Sequence, residues 1–162
     1  MLARRVYHIV GSLIVGLALL ALPGYTHAKS MIVTLDGQPS TLNVATAFHC
    51  HDLVDLKLQC FTSSAERDRA VDSQSENSTG YVIAYAAISY GGSSVVLSQS
   101  YANLGTIGWN NIISSYKVFT NLTGAFYQNT SYSGGTQHYC CFTNVSYVGD
   151  TFNDTFSSFL LP

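Results

Sequence analysis

The sequence contains few charged residues. Asp, Glu, Lys and Arg make up 10% of its 162 residues, and the formal net charge is −2. After Gly80, the only charged residues are Lys117, Asp150 and Asp154. Because no basic patch is present, we do not expect nucleic acids or anionic membrane surfaces as partners. Because carboxylates are scarce and no G-x-S-x-G nucleophile motif occurs, we do not expect an enzyme.

Long apolar runs are also missing, except at the start of the chain. Arg4 and Arg5 precede an apolar run at 9–22, and small residues ending at Ala28 form a suitable cleavage site. An uncleaved membrane anchor is the alternative, but the run is short for a span. We predict that residues 1–28 are a signal peptide and that the protein is secreted, to the extracellular space or the periplasm. Loss of the two arginines would change the net charge from −2 to about −4.

Polar residues that favour turns are abundant, and they create possible glycosylation signals. N-x-S/T triplets occur at Asn77, Asn121, Asn129, Asn144 and Asn153. In a chain this rich in Asn, Ser and Thr such triplets arise by chance, and a glycan at Asn153 would crowd a loop that is discussed below. We therefore interpret the protein as a bacterial β-rich module in which these triplets carry no glycan.

The first part of the mature chain, residues 29–78, has a mixed and more charged sequence than the rest. In order, we predict a hairpin with strands at 31–35 and 41–44 around Asp36-Gly37, a helix from Ser63 or Ser64 to about Val71, and a polar linker at 72–79. Whether this N-terminal segment is a pro-region or part of the domain stays open at this point.

From Gly80 onward, short β segments alternate with Gly, Asn and Ser turns, and helical periodicity is absent. Strands are predicted near 81–86, 94–99, 113–119, 124–128, 136–142 and 156–160, with two shorter ones near Leu104 and 145–148. Four strands in each half predict an all-β fold, an eight-stranded Greek-key sandwich of two sheets.

Two hexapeptides of the form N-(N/D)-x-x-S-S, at 110–115 and 153–158, repeat in phase with aromatic residues and glycines. The repeated positions are Tyr85 and Tyr127, Tyr90 and Tyr132, Gly92 and Gly134, and the aromatics Trp109 and Phe152 directly before the hexapeptides. Because the order and spacing are kept, the sequence predicts a duplicated unit.

These motifs resemble the βγ-crystallin family, and the resemblance covers residues 79–162. The family's Greek-key unit has an aromatic residue, six residues and then glycine, and its calcium-binding members end each unit with (N/D)(N/D)xx(S/T)S. The resemblance therefore implies a double Greek-key domain that binds up to two Ca²⁺ ions between the hexapeptides. Such oxygen-rich loops suit calcium, which takes six to eight oxygen ligands. We expect calcium to stabilise the fold and the protein to be a monomer.

The resemblance also implies which residues form each site, with side chains exchanged between the hexapeptides. One site would use the Ile112 carbonyl, Ser114, Asp154 and the Ala86 carbonyl; the other would use the Thr155 carbonyl, Ser157, Asn111 and the Gln128 carbonyl. Asn110, Asn153, Ser115 and Ser158 would shape the loops, the two asparagines by hydrogen bonds to backbone. Because Asn111 is neutral, we expect its site to bind more weakly, near a Kd of about 10⁻⁴–10⁻³ M.

Four cysteines, Cys50, Cys60, Cys140 and Cys141, predict disulfides in an exported chain. Adjacent residues in a strand point to opposite faces, which argues against a Cys140–Cys141 bond. We expect at least one bond from Cys50 or Cys60 to Cys140 or Cys141, with Cys50–Cys60 as the alternative.

A zinc site built from His49, Cys50, His51, His138 and Cys140 is a rival interpretation, but the spacing matches no zinc motif. We interpret the histidines as surface residues beside a disulfide.

A second functional hypothesis is an interaction protein, either a protease inhibitor or a small toxin, on the same scaffold. An inhibitor needs a rigid exposed loop, for which 60–77 is the candidate; a toxin needs a basic or membrane-active face, which this acidic chain lacks.

Overall fold

The computed structural model describes residues 30–74 and 80–162. The predicted signal peptide, the end of the predicted linker and the triplet at Asn77 lie outside these described residues. The strands are β1 (Ile32–Leu35), β2 (Gln38–Ser40), β3 (His49–Leu53), β4 (Lys57–Phe61), β5 (Tyr81–Tyr85), β6 (Ser94–Leu97), β7 (Ser115–Phe119), β8 (Gly124–Asn129), β9 (Ser133–Tyr139), β10 (Asn144–Val145) and β11 (Ser158–Leu160). Helix α1 spans Ser64–Gln74, and short 3-10 segments lie at Leu42–Thr46, Ile88–Tyr90 and Leu104–Ile107.

The described strands form two sheets, which confirms the predicted all-β class. The larger sheet has eight strands in the order β10-β7-β5-β6-β3-β4-β1-β2, and the smaller has three in the order β11-β8-β9. Aromatic side chains fill the space between the sheets: Phe126 contacts Phe156 and Phe159 at centroid distances of 5.0 and 4.8 Å. In residues 30–74 and 80–162, no helix has the length and apolar character needed to cross a membrane.

Each of the two repeated units contributes one segment to the sheet of the other. β10 belongs to the second unit but pairs with β7 of the first, in the larger sheet. Tyr101 of the first unit forms a bridge with Phe159 of β11, in the smaller sheet. The backbones of Tyr101 and Phe159 donate to each other at 2.7 and 2.9 Å. Each unit therefore completes the sheet of the other.

The N-terminal segment continues the larger sheet rather than standing apart from it. β3 runs parallel to β6, with Cys50 opposite Val95. The fully buried indole of Trp109 donates to the Ala45 carbonyl at 2.9 Å. These contacts attach the segment to the first unit.

A buried carboxylate strengthens this attachment. Asp52, which is 1% exposed, accepts hydrogen bonds from the Ser98 backbone and hydroxyl and from the Tyr101 hydroxyl. Burial raises the pKa of Asp52 to about 6, although these donors oppose the rise. Since Tyr101 lies in the exchanged segment, Asp52 connects β3 to the junction of the two sheets.

Several predicted strand boundaries are wrong, and the local backbone explains why. The hairpin turn at Asp36 and Gly37 has positive φ at both residues, so β2 begins directly after it, at Gln38, and the predicted strand at 41–44 is a 3-10 segment. The region near Leu104 is also 3-10, because the Asn103 side chain accepts from the Gly105 backbone at its start.

The strands around the second hexapeptide also differ from the prediction. β9 ends at Tyr139 rather than 142, since Cys141 and Phe142 adopt positive φ. β11 starts at Ser158 rather than 156. Two strands were missed, β3 and β4, and α1 continues to Gln74, into the predicted linker.

The predicted disulfide between the N-terminal segment and the sandwich is wrong. Cys50 bonds to Cys60, directly opposite it in the β3–β4 pair, with a Cα–Cα distance of 4.0 Å. Cys140 bonds to its neighbour Cys141, the pairing that strand geometry argued against. The argument failed because Cys141 lies beyond the end of β9, where its backbone is left-handed.

The prediction of surface histidines is wrong for His51, which is 5% exposed under α1. Its Nδ1 has no hydrogen-bond partner among the described residues. Burial, with a smaller contribution from the Arg67 guanidinium, lowers the pKa of His51 to about 4. His49 is half-buried, and its Nδ1 lies 2.9 Å from the Ser94 hydroxyl. The described residues contain no group of three His, Cys, Asp or Glu side chains arranged to hold a metal.

Candidate metal centre

The two hexapeptide loops have similar backbone conformations, and backbone hydrogen bonds join them to each other. Their second residues, Asn111 and Asp154, have φ of +57° and +53°. This left-handed region is tolerated best by Gly, Asn and Asp, which explains the residue types at these positions. The Asn111 N–H donates to the Phe156 carbonyl at 2.8 Å, and the Asp154 N–H donates to the Ile113 carbonyl at 3.2 Å. Each loop thus holds the backbone of the other.

A serine hydroxyl of each loop lies beside the second residue of the other loop. The Ser114 hydroxyl lies 3.2 Å from Asp154 Oδ1, across 40 residues of sequence. The Ser157 hydroxyl lies 3.1 Å from Asn111 Oδ1, across 46 residues. Both serine hydroxyls are nearly buried, whereas Asn111 and Asp154 are exposed. Each loop therefore offers a fixed hydroxyl to an accessible oxygen of the other loop.

The first cluster of oxygens carries a charge. The Ser114 hydroxyl also lies 3.2 Å from the Ala86 carbonyl. The backbone N–H of Ser114 donates to the Tyr85 carbonyl at 2.9 Å. The Asp154 carboxylate and the Ala86 carbonyl consequently both lie within hydrogen-bond reach of the Ser114 hydroxyl. The Ile112 carbonyl, the fourth implied ligand, lies two residues before Ser114.

The second cluster is neutral but has an additional clasp. The Gln128 side chain donates from Nε2 to the Thr151 carbonyl at 2.9 Å and to the Thr155 hydroxyl at 3.2 Å. A Cβ at Gly135 would lie 2.1 Å from Gln128 Oε1, so a larger residue there would displace the Gln128 side chain. The Gln128 clasp, meaning Gln128, Thr151, Thr155 and Gly135, joins the end of β8 to the second hexapeptide loop. Sequence reasoning considered only the Gln128 carbonyl and missed its side chain, because the motif prescribes no residue there.

The last serine of each hexapeptide shapes the neighbouring turn. The Ser115 hydroxyl donates to the Ala87 carbonyl at 2.6 Å and accepts from the Tyr90 N–H at 3.1 Å. The Ser158 hydroxyl makes the same pair, with the Asn129 carbonyl at 2.6 Å and the Tyr132 N–H at 3.0 Å. The repeated tyrosines are therefore positioned by the repeated serines.

The first residues of the hexapeptides differ from each other. Asn153 Nδ2 donates to Asp154 Oδ2 at 2.8 Å, which orients the carboxylate. The Oδ1 of Asn153 is buried and has no hydrogen-bond partner among the described residues. Asn110 is exposed. Sequence reasoning expected both side chains to bond to backbone, and the structure places that of Asn153 on a carboxylate instead.

The oxygen atoms of the two clusters are of the kinds that bind calcium. They are carboxylate, amide, hydroxyl and carbonyl oxygens, the hard ligands that calcium takes, and no soft sulfur or imidazole ligand lies among the implied residues. The exposure of Asn111 and Asp154 leaves an entry path, and the orphaned Asn153 oxygen marks this region as one where a polar partner is missing.

The chain is similar to solved βγ-crystallin domains over about half its length. A domain from Clostridium beijerinckii is 29% identical, and the match covers 49% of this chain and 94% of that one with a TM-score of 0.45. A βγ-crystallin from an archaeon is 26% identical and one from Ciona intestinalis 24%, covering 52% and 51% of this chain and 99% and 100% of theirs, with TM-scores of 0.45 and 0.46. No protein-family model matches the sequence, and the search of curated proteins gives no match.

Proposed function

We propose that this chain is a secreted, calcium-binding member of the βγ-crystallin family, with two ion sites between its hexapeptide loops. The observation that carries the proposal is the reciprocal contact of Ser114 with Asp154 and of Ser157 with Asn111. Two loops that exchange oxygen donors offer an ion a preformed half-shell on each side, and the remaining ligands would come from backbone carbonyls and water.

Binding would stabilise the sandwich, because the ligands come from both repeated units. An ion that binds the folded state alone stabilises it by about 2.7 kcal/mol at a hundredfold excess over Kd. The chain's own residues contribute position rather than chemistry: the loop backbones are already strapped together, and we propose no catalytic activity. The Cys50–Cys60 disulfide favours an oxidising compartment and supports the secretion proposal.

The alternative inhibitor hypothesis has lost its main support. Its candidate loop at 60–77 is helical from Ser64 to Gln74, so it does not present an extended strand to an enzyme cleft. The toxin alternative gains no basic face, since Lys117 is the only cation after Gly80.

Calorimetric titration of the protein with Ca²⁺, followed by thermal unfolding with Ca²⁺ and with a chelator, tests the proposal. We expect up to two ions to bind and the Tm to rise with Ca²⁺. The double substitution Asp154→Ala with Asn111→Ala should abolish both effects. Asp150→Ala is the matched control, because Asp150 is an exposed carboxylate near the same loop that bonds to Tyr147. Absence of any heat of binding at millimolar Ca²⁺ would refute the proposal.

A further inference from the structure

Helix α1 covers only part of the outer face of the larger sheet. It packs over β3 and β4, and Val71 joins Ile83, Tyr85 and Val96 in a small buried cluster. Beside this cluster, over β5 and β7, a cleft of about 230 Å³ remains between the helix and the sheet. It is lined by Arg67, Asp68, Asp72, Tyr81, Ile83, Tyr85, Lys117 and Phe119. The cleft is separate from the hexapeptide loops, and none of its lining residues is an implied calcium ligand.

One wall of the cleft is aromatic and partly open to solvent. Tyr81 and Phe119 are directly opposite each other in the β5–β7 pair, and their rings stack at 4.8 Å with an interplanar angle of 20°. Phe119 is 38% exposed although it is a large apolar side chain. Such a pair offers a rigid, flat apolar surface to a small ligand.

The polar groups of the cleft are fixed in place. The Arg67 guanidinium is 2% exposed and is paired with Asp68 and Ser94. Lys117 Nζ lies 4.6 Å from the centre of the Tyr90 ring and 5.9 Å from that of Tyr85. These partners hold Arg67 as a fixed positive charge at the cleft.

The charges of the lining cancel. Two cations, Arg67 and Lys117, face two carboxylates, Asp68 and Asp72. A strongly anionic ligand would meet the carboxylates, and a cationic one would meet the two cations. A neutral ligand with many hydroxyls can instead donate to the Asp68 carboxylate, which is 54% exposed, and accept from Lys117, while its apolar C–H face lies on the aromatic wall.

We propose that this cleft binds one neutral sugar residue. A sugar ring combines an apolar face with alternating donors and acceptors, which matches the aromatic wall and the mixed polar rim. The volume is below the roughly 300–1,000 Å³ of pockets for drug-sized ligands, so a single ring is the appropriate size. Phe119 would supply the stacking surface, and Lys117 would donate to ring hydroxyls.

The test uses D-glucose, D-galactose, D-mannose and N-acetyl-D-glucosamine as separate probes, with the full chain and detection by NMR chemical-shift changes. We expect at least one of these neutral sugars to bind with a millimolar Kd. The charged sugars D-glucuronate and D-glucosamine should bind less well. Phe119→Ala and Lys117→Met should each weaken binding about tenfold or more. Phe142→Ala is the control, because Phe142 is exposed outside the cleft.

A chelator separates this proposal from the calcium proposal, since sugar binding should be unchanged without Ca²⁺. Failure of all four probes to bind at millimolar concentration would overturn the inference. So would equal binding by the wild type and either cleft variant, provided that both variants keep the wild-type far-UV circular dichroism.

Discussion

The two repeated units have the same backbone but are stabilised differently. The first unit contacts the N-terminal segment through Trp109, Tyr101 and β6, and its oxygen cluster receives a charge from Asp154. No described strand of the second unit pairs with a strand of the N-terminal segment. The oxygen cluster of the second unit is neutral, and the Gln128 clasp holds its loop. A duplicated motif thus fixes the geometry of the loops, while residues outside the motif decide how each loop is supported and charged.

The largest expected difference concerns the aromatic residue before each hexapeptide. Trp109 is fully buried and bonds to Ala45, whereas Phe152 is half-buried and stacks on Phe156 at 5.5 Å. Trp109→Ala should lower the free energy of unfolding by about 3–5 kcal/mol. Phe152→Ala should lower it by less than about 2 kcal/mol. Urea unfolding in calcium-free buffer measures both, and equal losses would contradict the unequal support of the units.

The second prediction concerns how the stability contributed by Asp52 and His51, on strand β3, depends on pH. The pKa of Asp52 is raised, so the native state holds its proton between about pH 4 and 6, and its contribution to stability increases as the pH falls through that window. The pKa of His51 is lowered, so its contribution is present above about pH 6.5 and is lost as the pH falls toward 4. Because the two adjacent groups act in opposite directions over nearly the same range, their effects should largely cancel in the wild type.

Single substitutions should reveal each effect. Asp52→Asn leaves His51 unopposed, so stability should fall more steeply than in the wild type as the pH drops from 6.5 to 4. His51→Gln should have the opposite effect. The Asp52 contribution is about 3 kcal/mol across its window, and that of His51 is of similar size or smaller. Urea titrations at several pH values measure the slopes, and parallel slopes in all three proteins would contradict the assignment.

The third prediction exchanges the charge between the two sites. Asp154→Ala should weaken the first site more than Asn111→Ala weakens the second, because calcium affinity rises with ligand charge. Conversely, Asn111→Asp should tighten the second site by about tenfold, or about 1.4 kcal/mol. Calorimetry resolves the two steps, with Asp150→Asn as the control for net charge. Equal losses in the two alanine variants would disprove the charge argument.

The smallest effect is expected at the Gln128 clasp. Gln128→Ala removes two hydrogen bonds near the surface and should destabilise the protein by about 0.5–1.5 kcal/mol. Gly135→Ala should have a similar effect, because its new Cβ displaces the Gln128 side chain. In the Gln128→Ala background the Gly135→Ala substitution should become nearly neutral, and this double-mutant cycle tests the coupling. Additive losses would show that the clasp does not act as a unit.

The duplicated unit could be predicted from the sequence because its motifs recur in phase, whereas the pairing of the hexapeptides was implied only by the resemblance to the βγ-crystallin family. Asn111 and Asp154 occupy equivalent positions, and both are of residue types that tolerate the left-handed backbone they adopt. The role of the N-terminal segment could not be predicted in the same way. β3 pairs in parallel with β6, more than 40 residues away, and the sequence His-Cys-His-Asp-Leu does not alternate polar and apolar residues, since Cys50, His51 and Asp52 are all buried.

The cysteine pairs show a second limit of the sequence. The expectation of a long-range bond depended on Cys140 and Cys141 belonging to one regular strand. Two residues with positive φ, Cys141 and Phe142, end that strand early and leave the adjacent pair to bond locally. Neither Cys nor Phe commonly adopts positive φ, so the residue types do not predict the end of the strand here.

The exchange of segments between the two units has a consequence for how the domain assembles. A single unit on its own would lack the strand that β10 supplies to β7, or the bridge that Tyr101 makes with Phe159. Open edges of this kind recruit other chains. We therefore expect an isolated unit to satisfy these edges by swapping segments with a second copy of itself.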